Sequence, residues 1–162
     1  MIRVALIFCA LLAFAGCQSE SSKPVEREVK PMIARFFLES GPGEAGTTLQ
    51  LPVSRVLIDV NPKPVLTEYD IAGVNLARVD IGWCLAFQLT PAARRDFYRM
   101  TSTVQGRRIV VTLNGLPAGA LRLDQVVSSG NLPMFVEVSD AELPDFADRI
   151  RKTSEMLAQH AK

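Results

Sequence analysis

Residues 89–115 read LTPAARRDFYRMTSTVQGRRIVVTLNG, and the fold class turns on this stretch. Thr90 is a good N-cap, and Pro91 suits the first helical position, where a missing N–H costs nothing. Ala93, Phe97, Met100 and Val104 recur at steps of four, three and four, the spacing of one helical face. Gly106 stands where a left-handed C-cap would close the helix. The spacing therefore predicts a helix from Pro91 toward Gly106, with Arg94, Arg95 and Arg99 turned to solvent. RRIVVTL (107–113) then places Ile109, Val111 and Leu113 on one face of a strand. Asn114-Gly115 suits a two-residue hairpin turn whose central positions need positive φ. LPAGALRLDQVV (116–127) supplies the returning strand.

The flanks extend this pattern. In MIARFFLE (32–39), Met32, Ala34, Phe36 and Leu38 fall on one side of a strand. Val56, Ile58 and Val60 alternate with Arg55 and Asp59 as a second, and Gly73 to Val79 is a further candidate. NPKPVLTEYD (61–70) reads as extended connection with a short turn near its end. Trp83, Leu85, Phe87 and Leu89 alternate with Cys84, Ala86 and Gln88. Ser128 to Leu132 is loop by composition, and Met134, Val136 and Val138 form the inner face of a last strand. Ser139 and Glu142 have capping-box spacing before a second helix, with Leu143, Phe146, Ala147, Ile150 and Leu157 as its apolar stripe. Pro144 moves the regular start of that helix to its own first turn. Hairpins with short turns imply an antiparallel sheet with two helices on one face, an α+β fold.

Composition bounds the function. At 162 residues the chain suits one domain, and 48% apolar with 22% charged residues is ordinary for a folded protein. Lys+Arg is 18 and Asp+Glu is 17, so no charge excess points to nucleic acid or an anionic membrane surface. The single histidine, His160, lies in the C-terminal tail, which argues against a Ser-His-Asp triad or a His-rich metal site. No cofactor is expected.

The N-terminus reads MIRVALIFCALLAFAG. Arg3 and the amino group precede an uncharged run, Val4 to Ala15, too short to span a bilayer as a helix. Residues 1–16 have the layout of a signal peptide. Ala15-Gly16-Cys17 resembles the lipobox of bacterial lipoproteins, with Phe14 where leucine is usual. That resemblance implies cleavage before Cys17 and acylation of Cys17, which would anchor the chain to a membrane facing the periplasm. Residues 17–30, acylated Cys17 followed by QSESSKPVEREVK, are too polar to bury surface and read as a flexible tether. Extended, the residues after Cys17 could reach at most ~45 Å. The folded domain is expected over 31–162.

Several motifs invite stronger readings. Gly41-Pro42-Gly43-Glu44-Ala45-Gly46 matches G-x-G-x-x-G, but TTLQLPV follows, strand-like where a dinucleotide site needs a helix. A loop is the expectation. Cys84 sits in an apolar strand without a histidine nearby and reads as a small hydrophobe. Arg94-Arg95 and Arg107-Arg108 read as solvated pairs, and Trp83 and Tyr98 as core or sheet-edge packing. No nucleophile–base pair or metal set can be assembled, so no enzymatic activity is expected.

LTEYDIAGV (66–74), the stretch 87–115, the hairpin after it, SSGN (128–131) and DAELPDFADRI (140–150) together resemble a known family. This is the periplasmic head domain of SecD, a subunit of the bacterial protein-export translocase. Leu89, Thr90, Ala93, Phe97, Thr101, Gly106, Ile109, Val110, Leu113, Asn114, Gly115 and Gly130 carry the match. Asn114 stands where that family has Asp, Ala118-Gly119-Ala120 replaces Ser-Ala-Pro, and the family's multi-helix membrane part has no counterpart. The resemblance implies a ferredoxin-like βαββαβ head with extra N-terminal strands. It also implies contact with unfolded polypeptide or an envelope protein complex. The competing expectation is a structural or accessory envelope lipoprotein without peptide binding.

Overall fold

The computed structural model describes residues 30–160. The signal segment, Cys17 and nearly all of the expected tether lie outside the described residues. The strands are β1 (Ala34–Leu38), β2 (Thr47–Gln50), β3 (Leu57–Val60), β4 (Ile71–Val79), β5 (Gly82–Leu89), β6 (Arg108–Leu113), β7 (Leu116–Arg122) and β8 (Asn131–Met134). Two α-helices, α1 (Pro91–Thr101) and α2 (Leu143–His160), complete an α+β fold.

Pairing is antiparallel throughout, but it is divided. The orders are β1-β6-β7, β4-β5-β8 and the β2-β3 hairpin, not the single sheet expected. Single bridges tie the ladders to their surroundings: Glu39 to Val60 of β3, Phe36 to Leu66 ahead of β4, and Gly119 to Val136 beyond β8. The division has a local cause at β8. Met134, Val136 and Val138 were expected on one strand, yet the chain leaves β5 after Met134 and crosses to β7, where Glu137 N donates to Ala118 O at 2.6 Å. Pro133 lacks an N–H and is tolerated because β8 lies at the edge of its ladder. The crossing needs Gly119, since a β-carbon there would run into the Phe135 carbonyl oxygen.

The hairpin signal holds: Asn114 and Gly115 adopt φ of 49° and 82°, and Leu113 faces Leu116 across the turn. So does the start of α1, where Thr90 Oγ1 accepts from Ala93 N at 3.3 Å. Its end differs. α1 stops at Thr101, short of Gly106, because Thr101, Ser102 and Thr103 turn their hydroxyls back onto the carbonyls of Tyr98, Arg99 and Met100. Such local hydroxyl bonds compete with helix continuation. At α2, Ser139 Oγ donates to Glu142 Oε2 at 2.7 Å ahead of Leu143, with Pro144 in the first turn as expected.

One main core collects Phe36, Phe87, Phe97, Ile109, Val111, Leu132, Met134, Leu143 and Ile150. Phe36 and Phe87 meet edge to face with centroids 5.0 Å apart. Phe97 belongs to this core beside Ile109 and Val111, though the strand nearest α1 is β5 rather than β6. A second cluster lies on the other face of the β1-β6-β7 ladder, where Ile58, Val60 and Leu51 of the β2-β3 region cover Val110. β6 is therefore buried from Ile109 to Leu113 without alternation.

Candidate functional site

The β2-β3 hairpin covers only part of the ladder face beneath it. β3 is tied to the end of β1, where Ser40 N donates to Asp59 O and Asn61 N to Leu38 O, at 2.8 and 2.9 Å. The far tip is held by Glu137, whose Oε2 accepts from Val53 N and Ser54 N at 2.7 and 3.0 Å. Beside β2 this leaves a mainly apolar groove of about 570 Å³. Phe37 and Thr112 form its floor with Ile33 and Arg35, and Thr47 and Leu49 of β2 wall one side.

The backbone of β2 matters more than its side chains. Leu51 N donates to Val56 O, so the alternation of an antiparallel ladder points Thr47 and Leu49 at β3. The N–H and C=O groups of Thr48 and Gln50 then point to the other edge. Among the described residues that edge has no strand partner. Edge strands of this kind are templates for pairing with another extended chain. The sequence alone points to neither this edge nor the groove.

Arg35 and Asn114 at the groove are already engaged. Arg35 makes a bidentate pair with Glu68, both bonds 2.8 Å, and this guanidinium holds the Glu68 carboxyl below its ordinary range. Asn114 Oδ1 accepts from Ile33 N at 2.8 Å while its Nδ2 donates to Pro31 O at 3.4 Å. A ligand here meets apolar surface and free main chain, with little charge to read. A second cavity of about 650 Å³ lies between the 61–66 segment and α1, but there Val65 and Leu66 already bond to Phe36.

Cys17 lies outside the described residues. Cys84 is fully buried and burial raises its thiol pKa, the opposite of activation. Residues 41–46 form a turn and loop leading into β2, as expected from the strand-like segment after them. Arg107 and Arg108 are not merely solvated: Arg108 pairs with Glu39, and Arg107 with Glu44 at 2.7 Å. Arg94 likewise has a structural contact, donating to Ser128 O at 2.8 Å. Trp83 and Tyr98 are surface residues, 38% and 49% exposed, not core. No cluster of three or more His, Cys, Asp or Glu suited to a metal occurs among the described residues. Nor is any helix among them long and apolar enough to cross a membrane.

No protein-family model matches the chain, and no curated protein matches it. Solved structures do. A structure of SecDF, described as a membrane component that enhances protein export, superposes with a TM-score of 0.58 at 20% identity, over 76% of this chain and 63% of that one. SecDF in a super-membrane-facing form gives 0.58 at 23% identity, over 74% of this chain and 18% of the other. SecDF of Thermus thermophilus, a translocon-associated membrane protein, gives 0.51 at 19% identity, over 77% and 20%. The chain thus spans under two thirds of the first of these and about a fifth of the larger ones. The likeness is one of fold, and that fold is SecD-like.

Proposed function

We propose that this protein is a lipid-anchored, non-enzymatic module of the bacterial cell envelope that faces the periplasm and takes a short extended polypeptide segment along β2. The free edge of β2, a strand whose Thr47 and Leu49 line an apolar groove, carries the reading, since strand addition gains main-chain bonds while alternate side chains enter pockets. The SecD-like fold agrees with polypeptide as the client, because a neighbour of this fold enhances protein export. The lipobox-like Ala15-Gly16-Cys17 supports the anchor, with Cys17 as the acylated residue. Main-chain bonds contribute only ~0.5–1.5 kcal/mol each and association entropy opposes them, so affinity is modest. Cleavage before Cys17 removes Arg3 and leaves a formal charge of zero, and with Arg35 already paired to Glu68, binding is nearly independent of salt.

The test titrates the chain from Cys17 to Lys162 with unfolded envelope proteins and compares it with Thr48→Pro, which removes one outward N–H from β2. Saturable binding at micromolar concentration, lost in Thr48→Pro with the circular dichroism spectrum unchanged, is the expected result. Absence of binding together with capture of one folded envelope partner would favour the accessory-lipoprotein reading instead.

A further inference from the structure

The β4-β5 hairpin breaks a local rule at its tip. Val79 faces Gly82 across a two-residue turn made of Asp80 and Ile81. Turn tips favour Gly, Asn and Asp, whereas Ile81 is 81% exposed. Val79 and Trp83 flank it, also exposed, and the Arg78 guanidinium stands 5.6 Å from the Trp83 ring centre, the cross-strand partner in the ladder. β8 pairs with β5 only over Leu85–Gln88, so the 78–83 end leaves the ladder as a two-stranded ribbon. No packing in the described residues accounts for three apolar side chains on such a ribbon.

We propose that this tip is a membrane-surface contact, with Ile81 entering the interfacial region and Trp83 lying beside it at headgroup level. The inference rests on the membrane-tethered reading, which keeps the domain close to a bilayer. Two observations favour lipid over protein as the occupant. The exposed apolar area of three side chains is on the order of a few hundred Å², well below the ~800 Å² that each partner of a stable protein interface buries. Tryptophan with an arginine beside it is also the combination that suits a lipid interface, where the ring body is apolar and its rim polar. Arg78 and Asp80 carry opposite charges, so the contact needs no anionic lipid. Tethering raises the local lipid concentration enough that a weak contact can orient the domain without adding much to its retention.

Trp83 is the only tryptophan in the chain, so its emission reports this tip alone. The chain from Cys17 to Lys162 is coupled through the Cys17 thiol to a maleimide-headgroup lipid in phosphatidylcholine vesicles, Cys84 being fully buried. The expected result is a blue shift of Trp83 emission and strong quenching by lipids brominated near the top of their acyl chains, unchanged when the protein is diluted in lipid. Ile81→Asp abolishes both effects and keeps the circular dichroism spectrum. Emission indifferent to bromine overturns the proposal, as does quenching that persists in Ile81→Asp. A blue shift that disappears on dilution in lipid also overturns it and identifies the contact as protein with protein. Because the coupling is chemical, these outcomes stand apart from whether cells acylate Cys17.

Discussion

A β-carbon at position 119 has nowhere to go: besides the Phe135 carbonyl oxygen it would lie 3.0 Å from the Val136 Cα, and both obstacles are backbone. At Gly73 the nearest obstacle is the end of the Gln88 side chain at 3.6 Å. Gly119→Ala is therefore expected to destabilise by at least the ~1–3 kcal/mol typical of overpacking. Gly73→Ala should stay within about 0.5 kcal/mol, the range of ordinary surface changes. Denaturant titration of the two variants checks this. Cys84 gives a second prediction. Complete burial keeps the thiol both protonated and out of reach, so alkylation of the native protein should be far slower than after unfolding. The burial of Cys84 was legible in the sequence from its apolar strand. The demand for glycine at 119 was not, because it arises from a segment some sixteen residues further along that returns to cross β7.

The elements were legible where a local rule decides them. Thr90-Pro91 opens α1 and Asn114-Gly115 turns the hairpin, each through chemistry confined to a few neighbouring residues. The end of α1 escaped the pattern because three consecutive hydroxyls outcompete one favourable C-cap glycine. The last strand kept its phase but not its extent, since alternation cannot say at which residue a chain changes ladders. The groove was wholly illegible: Ile33, Leu49 and Thr112 meet only after two elements distant in sequence are stacked. A prediction about α1 follows from its burial. Phe97 is 2% exposed, and Phe97→Ala should cost ~3–5 kcal/mol. Arg95, exposed on the same helix, should cost almost nothing as Arg95→Ala. Arg94 is no suitable control, because it holds the Ser128 carbonyl. Melting temperatures of Phe97→Ala and Arg95→Ala provide the check, and similar values for both would mean that α1 is rotated from this description.

Across the whole molecule, carboxylates tie the peripheral segments to the core. Arg108 lowers the Glu39 pKa, Arg35 that of Glu68, and the Gly41 N–H with Arg107 that of Glu44. A depressed carboxyl contributes stability that is present above its unfolded pKa and is lost as pH falls through the folded value. Stability should therefore hold from neutrality down to about pH 5 and decline below about pH 4. Glu39→Gln should be weaker at neutrality and decline less steeply in acid, which chemical denaturation across pH 3–7 would measure. The way the chain enters the domain has a mechanical consequence as well. Asn114 grips the Pro31 carbonyl and the Ile33 N–H, Thr153 Oγ1 accepts from Met32 N at 2.9 Å, and Arg149 Nε donates to the Lys30 carbonyl at 3.1 Å. Tension applied to the chain ahead of Lys30 is divided among anchors on the β6-β7 turn and on α2 before any of it loads the first ladder bond of β1. The domain can be tugged by its leading end while its sheets stay in register.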